Sequence, residues 1–393
     1  MIDLLILTDE ATPQPNLVAQ LFASFNVVQA PAARATQGDV DEARVVLIHA
    51  GLRLAGTVQR IAELTGEARR RDDMIYVAPD RERVGVVQAE ALGVGQVFAE
   101  HDKLDKVQAA VLSILNRDLN VALAMRSSRI ASAVETTDAL YRDVSAAMRA
   151  NRPLPLRALD GSVSAIAGAI GNDGLSEWLS AVEMHHSQTC RHIMNVAGFA
   201  SAFARHIGLD EADNRLLTEA SLLHDVGKLF IPISVLEKPG ALSPTERKAI
   251  MNHPQKGEDA VRKCGKANPM VLAGIRSHHE YLDGTGYPDG LAEDRIPPLV
   301  RMLTIVDIFS ALTEKRAYKE GMTPRLAIAQ MAEMRGKLDQ KLFAAFRTMV
   351  LNPVFSSQRG ASASADRLGP CLRDGRHPLE ATPAGRVARR GVA

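Results

Sequence analysis

The chain has 393 residues, which at roughly 100–200 residues per domain suggests two or three domains. Its 46% hydrophobic and 24% charged content is ordinary for a globular protein, and 47 basic against 46 acidic residues (net charge +1) exclude the long basic footprint of a bulk nucleic-acid binder. Cys190, Cys264 and Cys371 are too few and too scattered for a disulfide framework or a thiolate zinc site, so a reducing, cytoplasmic setting is expected. No run of 18 apolar residues predicts a membrane span, and MIDLLILTDEATPQP lacks the basic start of a signal peptide.

In chain order, residues 1–118 alternate short β-branched runs with helical patterns. LLILT (4–8), VVLIHA (45–50), MIYVAP (74–79) and GQVFA (95–99) read as buried parallel strands. Helices are expected over 16–25, 54–68, 84–91 and 104–115. Such βα alternation predicts a doubly wound α/β sheet. The region resembles a response-regulator receiver domain of two-component signalling, but the chemistry differs. Where that family carries a phosphate-accepting carboxylate, VVLIHAG offers His49 and Ala50. Directly after the last strand, where that family has a lysine, FAEHDK runs on through Glu100. A degenerate, receiver-like module for docking or dimerisation is the expectation.

Residues 119–180 carry long amphipathic patterns broken by Pro153 and Pro155, read as a helical linker that either pairs two copies of the chain or packs as an ordinary amphipathic helix. Residues 181–350 read as an all-α domain. From residue 351 to 393, Ser, Gly, Ala, Pro and Arg dominate, and a disordered tail is expected.

Eight of the 11 histidines lie between His185 and His279. In LLHDVGK, His224 and Asp225 are adjacent, about 100° apart if helical, so the pair can serve two metals or bridge them. Gly227 lets the backbone pass close by, and Lys228 adds a cation. His253 follows in NHPQKGED, then His278 and His279 in RSHHEYLDGTGYPDGL. Asp307 lies inside the apolar run LVRMLTIVDIF, where a buried carboxylate needs a charge partner. Nitrogen and oxygen donors suit Fe, Mn or Zn, and paired metals suit phosphoester hydrolysis.

These motifs, with EKPGALSPTE, Gly286-Tyr287-Pro288 and VDIFSALTEKRAYK, resemble the HD-GYP family of HD phosphohydrolases over residues 185–346. The resemblance implies seven metal ligands: His192, His224, Asp225, His253, His278, His279 and Asp307. It implies two divalent ions, Fe or Mn, that neutralise a phosphodiester and lower the pKa of a water. It further implies Asp225 and Lys228 as catalytic residues, with Lys228, Arg316 and Lys319 binding substrate, and Arg301 in support. His185 and His186 are expected as surface histidines. The implied activity is hydrolysis of cyclic di-GMP to linear pGpG or GMP. The alternative is a weakly active module that binds the nucleotide, or a protein partner through the Gly286-Tyr287-Pro288 loop. Gln188, where some relatives have a third-metal Glu, and Ser310, where the family has a second Asp, are the departures that favour the alternative.

Overall fold

The structure, a computed structural model, describes residues 2–9, 21, 25–52, 55–66, 71–78, 83–99, 104–150, 152–236, 238, 240–263, 267–315, 320–352, 371–373, 375 and 377–379. The chain forms two compact units, Met1–Asn120 with Pro232–Glu237, and Val121–Ile231 with Lys238–Ala393.

In the first unit five parallel strands, β1 (Ile2–Thr8), β2 (Val27–Pro31), β3 (Ala43–His49), β4 (Met74–Ala78) and β5 (Gln96–Ala99), lie in the order β2-β1-β3-β4-β5. Leu4 pairs with Val27 and with Val45. Alternation along the strands divides the core. Leu5, Leu7, Val46, Ile48 and Tyr76 pack with Val40, Ile61 and Ala89 of the helices α1 (Gln37–Glu42), α2 (Ala55–Thr65) and α3 (Arg83–Ala91). Leu4, Ile6, Val45, Leu47 and Ile75 pack with Val107, Val111 and Ile114 of α4 (Leu104–Leu115). Both faces are covered, which is why the strands read as unbroken apolar runs. The strand β2 was not expected. VVQAP is short, exposes Gln29 more than its neighbours and ends at Pro31, as suits an edge strand. The helix expected over 16–25 lies almost wholly outside the described residues.

The second unit is helical. Its first long helix, α5 (Ser128–Arg149), is capped by Ser127, whose hydroxyl accepts from Ile130 N at 3.2 Å. The apolar stripe of α5 (Ile130, Ala133, Val134, Leu140, Val144) is buried within the unit. It packs on α6 (Leu156–Asp173), which also meets α8 (Gln188–His206) and α9 (Glu211–Leu223); α7 (Leu175–Val182) lies between α6 and α8. Then come α10 (Pro244–Met251), α11 (His253–Lys263), α12 (Pro269–Ser277), α13 (Pro298–Thr313), α14 (Pro324–Ala332) and α15 (Gln340–Leu351). Phe199 and Phe203 of α8, Phe309 of α13 and Phe346 of α15 interlock edge to face, fixing α8 against α13. Among the described residues no helix is long and apolar enough to cross a membrane.

The tail expectation is corrected for residues 371–373. Cys371 and Leu372 are fully buried, and their N–H groups donate to Asp213 Oδ2 at 2.6 and 3.0 Å. Arg373 adds its own N–H and Nε to Asp213 Oδ1. A polar composition hid this because the binding is by main-chain donors. Residues 353–370 of the tail lie outside the described residues.

Candidate metal centre

Five helices supply the site. His192 comes from the first half of α8, His253 opens α11, and Asp307 lies in the buried middle of α13. His278 caps α12 and His279 follows it. His224 caps α9, and Asp225 lies in the turn before a short 3-10 segment, Val226–Phe230. The His-Asp pair therefore stands where the helix ends. A backbone turn there aims both side chains inward.

Asp225 lies at the centre. Its Oδ2 is 3.3 Å from His224 Nε2 and 3.6 Å from His192 Nε2, while its Oδ1 is 3.1 Å from His253 Nε2 and 3.9 Å from His278 Nε2. Asp307 Oδ1 meets His192 Nε2 at 3.0 Å and His224 Nε2 at 3.8 Å; its Oδ2 is 3.8 Å from His279 Nδ1. The donor atoms of His192, His224 and Asp307 converge within 4.8 Å, as do those of His253, His278 and His279, and those of His224, Asp225 and His278. All seven expected ligands come together.

Their protonation follows from their neighbours. Nδ1 of His224, His253 and His278 faces the carbonyls of Ser221 (2.7 Å), Ile250 (2.7 Å) and Ile275 (2.9 Å). A carbonyl only accepts, so each Nδ1 carries a hydrogen, and a neutral ring then keeps its lone pair on Nε2. His253 Nε2 and His278 Nε2 nevertheless face each other at 3.2 Å. His224 Nε2 and Asp225 Oδ1 are buried with no hydrogen-bond partner among the described residues. Acceptors crowded together without a shared proton fit a divalent cation, and the carbonyls are the outer-shell partners that fix a ligating ring.

The ionisation pattern agrees. Burial opposes charge on Asp225, but Lys228 and His224 hold its carboxyl well below the usual range. Burial likewise opposes charge on Asp307, and His192 draws it far down. Burial, with crowding by His279 and His224, keeps His278 neutral, and burial pushes His279 down to about 4. Burial also disfavours a charged His192, yet Asp307 and Glu314 raise it to about 9.

Around this core, Lys228 Nζ lies 2.5 Å from Asp225 Oδ2. Gly227 is required: a β-carbon there would lie 1.9 Å from the His253 carbonyl oxygen. The Gly286-Tyr287-Pro288 segment also reaches the site. Tyr287 lays its ring on His279 (centroids 4.7 Å apart) and donates its N–H to the His279 carbonyl at 3.2 Å. Glu280 holds the loop by accepting from Asp289 N and Leu291 N.

Arg316 and Lys319 lie outside the described residues. Arg301 turns away from the expected role: it binds Asp339 and the carbonyls of Ile296 and Glu293. His185 is not a surface residue. It is 1% exposed, its Nδ1 accepts from Ser187 N at 3.1 Å, and its Nε2–H donates to Asp138 at 2.9 Å. Cys190 lies beside this pair, but both ring nitrogens already have partners. Ser310 Oγ is buried with no hydrogen-bond partner among the described residues. Sequence reasoning missed Glu314, buried beside His192, and its partner Arg191. The available signal was the seven-residue spacing from Asp307, two helical turns.

This helical unit gathers histidine and aspartate donors as a divalent-metal centre requires. Residues 176–342 match the family model described as HD domain. A cyclic di-GMP phosphodiesterase of Pseudomonas aeruginosa is 38% identical over 170 residues, 43% of this chain and 41% of that protein. The cyclic di-GMP phosphodiesterase response regulator RpfG of Xanthomonas campestris is 36% identical over 167 residues, 42% of this chain and 44% of its own length. A 3'3'-cGAMP-specific phosphodiesterase of Vibrio cholerae is 36% identical over 168 residues, 42% of this chain and 36% of that protein. The chain thus spans less than half the length of these relatives.

Proposed function

We propose that the helical unit is a cyclic-dinucleotide phosphodiesterase acting on cyclic di-GMP, with linear pGpG or GMP as product. The observation that carries this reading is Asp225, whose two carboxylate oxygens face separate groups of imidazole lone pairs. Two divalent ions, Fe or Mn, fit His192, His224 and Asp307 on one side and His253, His278 and His279 on the other, with Asp225 shared. When bound, such ions would supply positive charge to a phosphodiester and lower the pKa of a water. Asp225 would be the ligand common to both groups. Lys228 moves from Asp225 to a non-bridging phosphate oxygen as charge grows there. Arg316 and Lys319 hold the second phosphate or a guanine. The names of the relatives support the substrate class.

In the same reading, residues 1–118 are a receiver-like input module without a phosphoacceptor, 119–180 connect it to the phosphodiesterase domain at 181–350, and the protein works in the cytoplasm. The strand order 2-1-3-4-5 supports the receiver-like assignment. A second reading, a nucleotide sensor with little turnover, is favoured by Ser310, whose buried hydroxyl replaces a carboxylate. Protein loaded with Mn or Fe(II) and incubated with cyclic di-GMP, with products separated by chromatography, distinguishes the two. Linear dinucleotide or GMP supports the enzyme; saturable binding without product supports the sensor.

A further inference from the structure

The imidazole of His192 is bracketed by two carboxylates, one from the middle of α13 and one from its C-terminal end. Asp307 Oδ1 lies 3.0 Å from its Nε2, and Glu314 Oε2 lies 3.4 Å from its Nδ1. The two acids are seven residues apart, so two turns along α13 bring both to one face. Glu314 is 7% exposed, follows the last residue of α13 and is anchored by its N–H to the Ser310 carbonyl at 3.0 Å. Its Oε2 and His192 Nδ1 are both buried and have no hydrogen-bond partner among the described residues, so each is the other's natural complement. Its other oxygen is gripped by Arg191 Nε at 3.4 Å. Arg191 is itself fixed by the carbonyls of His185 (2.9 Å) and Lys315 (3.4 Å).

This environment differs from that of His224, His253 and His278, which turn Nδ1 to neutral main-chain carbonyls. A carboxylate is a stronger acceptor for the ring N–H. It fixes the tautomer with the lone pair on Nε2 and makes that nitrogen a better donor. We propose that Glu314 is a positioning residue for His192, held in place by Arg191, that selectively strengthens the metal pocket formed by His192, His224 and Asp307. The inference rests on the metal-site reading above. Without Glu314 the ring is free to rotate or to carry its hydrogen on the wrong nitrogen, and only that pocket suffers.

The test is metal retention by purified full-length protein. Wild type, Glu314→Gln, Glu314→Asp and His192→Ala are titrated with a chelator, and Mn or Fe per chain is measured by elemental analysis. Glu314→Gln is expected to lose one of two ions at about 10- to 100-fold lower chelator concentration while the other stays at the wild-type level. Glu314→Asp should recover part of the loss, and melting of the metal-free proteins should be alike. If Glu314→Gln holds both ions as wild type does while His192→Ala loses one, the role of Glu314 is refuted and the metal site stands. If His192→Ala also keeps both, the site reading fails and this inference with it. Equal loss of both ions, or a collapse of metal-free melting in both Glu314 variants, makes the residue merely structural and overturns the proposal.

Discussion

His253 Nε2 and His278 Nε2 approach to 3.2 Å, with both rings pledging their Nδ1 hydrogens to main-chain carbonyls. Two lone pairs held face to face repel unless a cation lies among them. Metal removal should therefore destabilise the helical unit. An ion at a hundred times its dissociation constant adds about 2.7 kcal/mol by mass action. Melting followed by circular dichroism should fall by several degrees on chelation and recover on adding Mn. Identical melting with and without metal would contradict the assignment.

The contact of Gly227 with His253 predicts a severe effect from a single methyl. A β-carbon at 1.9 Å from the His253 carbonyl oxygen and 2.8 Å from Gly257 N cannot be accommodated without moving α11. Since both contacts are backbone, no rotamer change relieves them. Gly227→Ala should lower stability by about 2–4 kcal/mol or displace His253, with metal content falling below that of wild type. An alanine variant with wild-type melting and metal content would show that the segment is looser than described.

How much of this could be read from the sequence varies with the kind of signal. Four of the strands were legible because burial on both faces writes itself as runs such as LLILT. The edge strand Val27–Pro31 was not, because it is short, exposes Gln29 and ends at Pro31. The seven ligands were legible as motifs spread over 116 positions from His192 to Asp307, but no spacing says that Asp225 lies in the turn after α9. Glu314 and Arg191 were silent because their roles depend on where α8 crosses α13, a matter of packing between the phenylalanines of both helices.

Metal-free protein should be most stable near neutral pH. Burial holds His279 at about 4, below the ordinary 6.5, so protonation favours the unfolded chain and stability falls as pH drops from 6.5 toward 4. The difference corresponds to about 3 kcal/mol. His192, raised to about 9, acts oppositely: its contribution is complete below 6.5 and is lost as pH rises through about 9. Melting temperature against pH in the presence of chelator should peak between these limits. A curve that rises steadily from pH 4 to 9 would refute the assignment of these two groups.

The buried carboxylate of Asp213 accepts main-chain N–H groups from Cys371, Leu372 and Arg373. Deleting residues 353–393 removes these donors and the burial of Cys371 and Leu372. The truncated protein should lose about 1–3 kcal/mol by denaturant titration, yet retain the metal content of the full chain. Unchanged stability would show that this contact contributes nothing to the fold.

The central claim is that the His-Asp constellation grips metal in order to cleave a cyclic dinucleotide. The most direct measurement compares wild type with His224→Ala combined with Asp225→Ala, reading metal per chain and the rate of cyclic di-GMP loss on the same samples. The account predicts two ions and linear product from wild type, with neither from the double variant, which still folds as judged by helical content. Full turnover by the double variant, or two bound ions in wild type with no cleavage of any cyclic dinucleotide, would contradict it.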